Sequence, residues 1–515
     1  MKRPDRLAVG RVVATWWLPT VIACAVGALY VVYSVAQWRA LVVPSWDLGI
    51  FAEAVQAYSR FEAPIVPIKG PGYNLLGDHF HPILALLGPV YRLFPSALTL
   101  LVVQDVLIAA SVVPVARLAQ RLLGRGGALL VGLVYGLGWG LQGAVGAQFH
   151  EVCVAVPLLA LGGVAFVERR WGACMAWLAP LVLVKEDLGL TVFMAGLAIT
   201  WRRRGEGRPA VLRGLAYALF GIVAFVVTVK LLLPAMNPAG TWAYSLDGSA
   251  TGAGTPMGGS TTAHEVPSLW DILTTPSVKL ATLLVLLAGA GFVGASSPWF
   301  ALVLPTLAWR FAGSVDTYYV WDSWHYNAVL VPIAACSLLD VINRWLAPER
   351  ASRSASASAL AEAVGEDALN DLRTDHVATA SATRRRRAAA WAVACVPALS
   401  LAITASALPL WQLPTLTEDP RMAAAQGALD AVPEGASVET DTTLLARLVP
   451  GREVYWVGTS GTMDTPPEYV VIDVRSYAWG GQQVDAESWA SAAHPGHSYE
   501  TVYAKQGFRV ARRTS

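Results

Sequence analysis

Apolar stretches long enough to cross a bilayer recur along this chain, at residues 12–36, 97–119, 128–145, 212–233, 326–346 and 388–410 among others. A spanning helix takes about 20 apolar residues, because the hydrocarbon core is about 30 Å thick and each helical residue rises about 1.5 Å. A chain with so many of them does not fold as a soluble globule. Of its 515 residues 55% are hydrophobic and only 14% charged, and the mean hydropathy is +0.48. Charged residues are therefore informative wherever they gather. Cys24, Cys153, Cys174, Cys336 and Cys395 all fall inside apolar runs, form no CxxC pair, and read as small buried hydrophobes rather than a disulfide framework.

Basic clusters set the expected topology. The head MKRPDRLAVGR precedes a run too long for a signal-peptide core, so that run stays as a helix and the N-terminus is expected in the cytoplasm. RLAQRLLGR, ERR, WRRRGEGR and the arginine run 384–387 then all fall on the same side. This frame predicts an all-α polytopic core of about eleven transmembrane helices. The core covers residues 1–346, with a first external loop at 37–82. A cytoplasmic Ala/Ser/Arg-rich linker follows at 347–387, then a last transmembrane helix at 388–411 and an extracytoplasmic small α/β domain at 412–515. The apolar piece 83–94 is too short to span and reads as an interfacial helix. A long external loop at 234–276 is rich in Gly, Ser and Thr around 247–265. In the last domain RMAAAQGALDAV, TTLLARLV and AESWASAA read as helices, ASVET, REVYWV and EYVVIDV as strands, and SYETVYAKQGFRVARR as a closing hairpin. Topology accounts for the basic clusters, so nucleic acid is not an indicated partner.

Candidate chemistry gathers in the polar segments of the expected outer side. Asp47, in WDLGIF, stands where a helix begins and reads as a catalytic carboxylate or as a helix cap. Glu53 reads as part of a solvated face. GDHFHP brings Asp78, His79 and His81 together, as ligands for a divalent cation such as Mg, Mn or Zn, as a base with a proton carrier, or as imidazoles bonded to backbone in an interfacial loop. His150 and Glu151, in the connector between the paired apolar runs 128–145 and 152–167, are companions on the same side. Lys185, Glu186 and Asp187 lie between two short apolar runs, 171–184 and 188–201, where ionisable groups are costly, and read as a phosphate-neutralising lysine or as an internally paired turn. Tyr318, Tyr319, His325 and Tyr326 form an aromatic cluster suited to a sugar face or an interfacial belt. Lys230 and Arg310 are expected to snorkel.

Together these residues carry a resemblance. The order WDLGIF, LLGDHFHPIL, VVQD, FHEVCVAVPLLAL, VKEDLGL and WHYNAVLVPIAA, with ASVETDTTLLARL and PEYVVIDV in the tail, resembles a bacterial and archaeal membrane family of unknown function. That family is similar in turn to the C-type, polyprenyl-phosphate-sugar-dependent glycosyltransferases. The resemblance implies a GT-C-like fold in the cytoplasmic membrane of a prokaryote, and transfer of a sugar from a polyprenyl phosphate to an extracytoplasmic glycan, lipid or protein. It puts the catalytic role on Asp47, a His-Pro element at GDHFHP and a basic residue near the lipid phosphate at Lys185; from the residues themselves Asp78 is the second catalytic candidate, and His150, Glu151, His325 and Tyr326 join Lys185 as candidates for substrate contact. The chain departs from the pattern in one respect, since Asp47 has no adjacent acid. The rival expectations are a transporter or flippase of a lipid-linked or small solute, and a non-catalytic membrane scaffold.

Overall fold

The computed structural model describes residues 6–237, 240, 269–313, 315–362, 366–461 and 463–515. The Gly/Ser/Thr-rich core expected at 247–265 lies outside the described residues. Helices dominate. In chain order they are α1 (Arg6–Arg39), α2 (Asp47–Ser59), α3 (Gly88–Leu93), α4 (Ala97–Gly136), α5 (Trp139–Gly146), α6 (Val152–Val167), α7 (Trp171–Leu178), α8 (Leu188–Arg203) and α9 (Arg208–Val227). They continue with α10 (Leu233–Met236), α11 (Leu269–Thr274), α12 (Val278–Gly289), α13 (Leu304–Ala312), α14 (Leu330–Glu362) and α15 (Glu366–Thr404). The last two run helical backbone into most of the expected linker.

Among the described residues five helical segments are long and apolar enough to cross a membrane: Trp16–Arg39, Ala97–Gly146, Arg208–Met236, His325–Ala347 and Thr383–Ala407. The expected number of spans is not reproduced as a count, because several apolar helices, among them Val152–Val167, Trp171–Leu183 and Val278–Gly289, fall short of that length. The second of the five is a hairpin. Gly124 takes φ 81° and ψ −169° inside α4. Past it Gly132 packs on Ala116 and Gly136 on Val112, while the Tyr135 hydroxyl donates to Ser111 at 2.8 Å. The two arms thus run antiparallel, which matches the separate runs 97–119 and 128–145 read from the sequence. α1 lies along the returning arm, where the Tyr30 hydroxyl donates to the Gly136 carbonyl at 2.6 Å and Gln37 Nε2 to the Gly146 carbonyl at 3.0 Å.

These pairings give the bundle two chemically different ends. At one end Arg117 stacks over Trp16 at 3.8 Å, Arg121 and Arg170 pair with Glu168, and Arg202 pairs with Asp340. The polar connectors after α1, α5 and α7 gather at the other end. Cys153, Cys174 and Cys336 are buried as expected, whereas Cys24 and Cys395 are exposed on the helix surfaces. Arg310 does not snorkel. It is 1% exposed and donates to the carbonyls of Tyr318 (2.6 Å) and Tyr326 (3.1 Å) and to Asn327 Oδ1 (2.8 Å), because the loop before α14 folds back over it. Lys230 is exposed.

The C-terminal domain has the expected elements: α16 (Met422–Asp430), β1 (Ser437–Thr440), α17 (Thr442–Leu448), β2 (Glu453–Trp456), β3 (Tyr469–Asp473), α18 (Ala486–Ala493), β4 (Tyr499–Lys505) and β5 (Phe508–Arg513). The sheet order is β2-β1-β3-β5-β4, with β1 parallel to both β2 and β3 and β5 antiparallel to β3 and β4. α17 packs on α2, so Leu48, Phe51 and Val55 share one apolar core with Leu444, Leu445 and Val454. Each such fully buried side chain contributes about 1.5–3 kcal/mol. Arg447 adds a polar lock, donating to the Trp38 carbonyl and stacking on that indole at 3.8 Å. This docking corrects the reading of Glu53. It is 5% exposed, and Oε2 accepts the Ile68 N–H at 3.1 Å, because the loop after α2 and the C-terminal domain close over it.

α8 and α9 pack through small residues, as membrane helices do. A Cβ on Gly196 would sit 2.4 Å from the Ala218 backbone nitrogen, whereas one on Gly172 meets nothing within 4 Å. Gly196→Ala is expected to lower the thermal midpoint of the purified protein, at a cost of about 1–3 kcal/mol from overpacking. Gly172→Ala is expected to leave it unchanged or higher, as measured by thermal unfolding in detergent.

Candidate active site

Asp47 is the first residue of α2, after Trp46 at the N-cap position, and its side chain does not cap the helix. It receives the Ser45 hydroxyl at 2.7 Å instead. His150 Nε2 stands 3.4 Å from Asp47 Oδ2. The next residue, Glu151, takes Lys185 Nζ at 2.7 Å, and the residue after that lysine, Glu186, meets His79 Nδ1 at 2.8 Å. Glu186 Oε2 also accepts the Phe80 N–H at 3.1 Å. The neighbour of His79, Asp78, pairs with Lys69 and accepts the Tyr73 hydroxyl at 3.3 Å.

The result is one file of ion pairs through four connectors. Adjacent residues of opposite sign turn to different partners, so the order Asp47, His150, Glu151, Lys185, Glu186, His79, Asp78, Lys69 alternates acid and base. Lys185–Glu186–Asp187 is therefore not an internally paired turn; two of its charges are spent on other segments. Solvent reach is uneven along the file. The Asp47 side chain is 31% exposed, against 2% for Glu151 and 1% for Glu186. Asp47 is its accessible acidic end.

The supports come from the surrounding helices. Gln104, buried in α4, donates to the carbonyls of Ala144 (3.2 Å) and Gln148 (3.0 Å) and accepts the His150 N–H at 3.1 Å, which fixes the turn that carries His150 and Glu151. Its amide in the apolar run VVQD was the signal for this role, which sequence reasoning passed over. His325 stacks on His150, with ring centroids 3.6 Å apart and planes at 20°, and Tyr326 lies 4.0 Å from His325. Arg310 holds that loop in place. Phe51 stands between His81 (5.6 Å) and His150 (5.8 Å).

Asp78, His79 and His81 leave in three directions, to Lys69, to Glu186 and under Phe51. Among the described residues no group of three or more His, Cys, Asp and Glu is placed to hold a metal ion. These three side chains do not converge on one cation. The structure thus joins Asp47, Asp78, His79, His150, Glu151, Lys185, His325 and Tyr326 in one region, with Asp78 at the far end of the file and Lys185 committed to Glu151.

Electrostatics follow from this pairing. Burial opposes ionisation of every carboxyl here, and at Asp47, Asp78, Glu151 and Glu186 the partners outweigh it. His150 and Ser45 hold Asp47 below the usual carboxylate range, His79 and Lys69 hold Asp78 there, and Lys185 foremost brings Glu151 to about 2. Glu186 is lowered against burial by His79, and His79 is raised against burial by Glu186. Where burial prevails the shifts reverse: Asp187 rises to about 6 and His81 falls to about 4. Asp187 Oδ1, His81 Nδ1 and His325 Nδ1 are buried without a hydrogen-bond partner.

Apolar helices of bilayer length, two unlike ends and a closed file of charges define a polytopic membrane protein with an ordered polar site at one end. The chain belongs to the family described as Predicted membrane protein (DUF2079), whose pattern matches residues 38–510. No curated protein matches. Among solved structures the chain is similar to ArnT from Cupriavidus metallidurans bound to undecaprenyl phosphate, at 15% identity over 95% of this chain and 97% of that one, with a TM-score of 0.48. It is similar also to apo ArnT from the same organism, at 15% identity over 98% of each chain, with a TM-score of 0.45.

Removing one member of a buried pair strands the other. Lys185→Met is expected to destabilise the protein by about 3–5 kcal/mol, and adding Glu151→Gln to recover part of the loss. Thermal unfolding of the two single variants and the double variant measures the coupling. The Glu186–His79 pair sets a pH window. Glu186, lowered on folding, adds stability above the usual carboxylate range that is lost as pH falls through its lowered value. His79, raised on folding, adds stability that is complete below the usual imidazole range and is lost as pH rises through its raised value. The midpoint is expected to peak in mildly acidic solution and its alkaline limb to flatten in His79→Gln; an alkaline limb unchanged in that variant refutes the pairing.

Proposed function

We propose that the protein is a membrane glycosyltransferase of the C-type fold, moving a sugar from a polyprenyl phosphate to an acceptor hydroxyl on the outer side of the cytoplasmic membrane. The observation that carries this reading is the partly exposed carboxylate of Asp47 at the open end of the buried charge file. Support for the donor class comes from the motif resemblance and from the depth of the site. α6 has 16 residues. It is therefore about 24 Å long, shorter than the roughly 30 Å hydrocarbon core. Glu151 at its start is thus drawn toward the level of the lipid headgroups, where a lipid-linked sugar presents its phosphate.

In this reading Asp47 takes the proton from the acceptor hydroxyl. The acceptor oxygen bonds to the anomeric carbon as the bond from that carbon to the phosphate oxygen breaks, and the electron pair leaves with the polyprenyl phosphate. A single displacement inverts the anomeric centre. Ser45 and His150 orient Asp47 and keep it ionised, while His79 and Lys185 offset the charge that develops on the leaving phosphate. His325, Tyr326 and the unpartnered nitrogen of His81 supply hydrogen bonds to the sugar. Asp78 holds the Lys69 loop against the site, and its part is positioning.

The test is consumption of radiolabelled polyprenyl-phosphate sugars by the purified protein supplied with candidate acceptors. Asp47→Asn is expected to lower turnover at least about 100-fold, the usual scale for loss of a general base, with the thermal midpoint kept. Full donor consumption by Asp47→Asn, or solute uptake into proteoliposomes by a wild type that consumes no donor, overturns the assignment.

A further inference from the structure

The basic end of the bundle, opposite the charge file, holds a groove between two helices. Arg344 and Trp345 of α14 and Arg386 and Ala389 of α15 line one cavity of about 390 Å³ there. Arg386 and Ala389 stand three apart in the sequence and therefore share a face of α15. Ala389 presents only a methyl group to the groove and so leaves it open. The preference for arginine on one side of a membrane explains the run 384–387. It does not explain why two arginines from different helices open onto one cavity.

The groove is short of negative charge. Arg344 Nε reaches Asp340 Oδ2 at 3.4 Å, but the same oxygen also takes Arg202 and accepts the Ser297 hydroxyl at 2.7 Å. One carboxylate is thus divided between two guanidiniums. Arg386 makes no ion pair with a described residue, and it is exposed.

Depth and surroundings point to the bilayer. The span in α14 ends at Ala347, three residues past Arg344, and the span in α15 starts at Thr383, three residues before Arg386. Each arginine is therefore about 4.5 Å from the end of its span, within reach of the lipid phosphates. Of the span in α14 83% is buried, of that in α15 only 11%. The groove thus lies between a core helix and one that rides on the outside of the bundle, with its flank toward lipid. Trp391 fixes the basic end of α15 at this level, because it packs against the turn of the α4 hairpin, where a Cβ on Gly126 would stand 3.1 Å from its ring.

We propose that this groove is a site for an anionic phospholipid of the leaflet on the basic side. Its phosphate lies between Arg344 and Arg386, and its glycerol and first acyl carbons lie on Trp345 and Ala389. Guanidinium forks match phosphate oxygens in pairs, tryptophan suits the level of the headgroups, and basic pockets between spanning helices take anionic headgroups. A free phosphate offers the same oxygens but no tail for the lipid-facing flank. The bound lipid fastens α15, which leads into the C-terminal domain, to the buried α14. Nothing in this depends on the transferase reading.

Native mass spectrometry of the full-length protein in detergent, titrated with phosphatidylglycerol or phosphatidylcholine, tests it. The wild type is expected to bind phosphatidylglycerol at least about five-fold more tightly, the scale of one arginine at a membrane surface. Arg386→Ala and Arg344→Ala are each expected to remove most of that preference. Arg385→Ala, which takes away an exposed charge of the same run that does not line the groove, is expected to keep it. Arg386 is exposed, so its variant folds even if Arg344→Ala does not, and thermal unfolding checks both. Equal affinity of the wild type for the two lipids, or an equal loss in Arg385→Ala, overturns the site. Release of phosphatidylglycerol by inorganic phosphate, or tighter binding of a polyprenyl phosphate that Arg386→Ala abolishes, overturns the phospholipid as its occupant.

Discussion

Lys185 and Glu151 meet at 2.7 Å where water barely reaches. Either charge alone in that place costs several kcal/mol, so neither connector takes its position without the other. The constraint spreads because the neighbours of both residues are charged as well. Glu186, beside Lys185, draws in the loop that carries His79, and His150, beside Glu151, reaches to the start of α2. Four connectors that share no sequence proximity are thereby set in one geometry. Gln104 and Arg310 do the corresponding work for the backbone, turning buried carbonyls toward fixed donors instead of leaving them unpaired.

Much of the frame was legible because its signals are local. The apolar run at α6 was read at its observed bounds, Val152–Val167. The hairpin in α4 showed as two runs, since Gly124 and the arginines around it interrupt the apolar pattern. The C-terminal domain was legible element by element, because alternating strands and short amphipathic helices leave a periodic trace. Short apolar helices were harder. Residues 171–184 read as one run, but Pro180 divides them into α7 and a tighter turn at Ala179–Leu183.

The site was legible as a set of residues and illegible as a set of pairs. His79 and Glu186 are 107 residues apart, and Lys185 and Glu151 are 34 apart. No spacing rule links them. Each dense motif was read as if its members served one another: GDHFHP as a ligand set, Lys185–Glu186–Asp187 as a self-paired turn. In irregular backbone, adjacent side chains diverge, and each found its partner on another segment. Glu53 failed for a related reason. A carboxylate on the polar side of an amphipathic helix reads as solvated until a domain hundreds of residues later covers it.

On the proposed transferase reading, the charge file also reconciles the depressed pKa of Asp47 with a role as base, against which it at first argues. A weak base takes a proton poorly from an alcohol in its ground state. In a displacement at an anomeric carbon, however, the leaving phosphate departs ahead of full bonding to the acceptor, and the acceptor oxygen grows acidic only as it bonds to the electron-poor carbon. A carboxylate that is fully ionised beforehand, and turned toward that oxygen by Ser45 and His150, meets the proton when it becomes labile. Fixed acids and bases in alternation also need no rearrangement as charge moves across the site. Of the four acids in the file Asp47 is the most exposed, and the proposed reading therefore gives it the acid–base work.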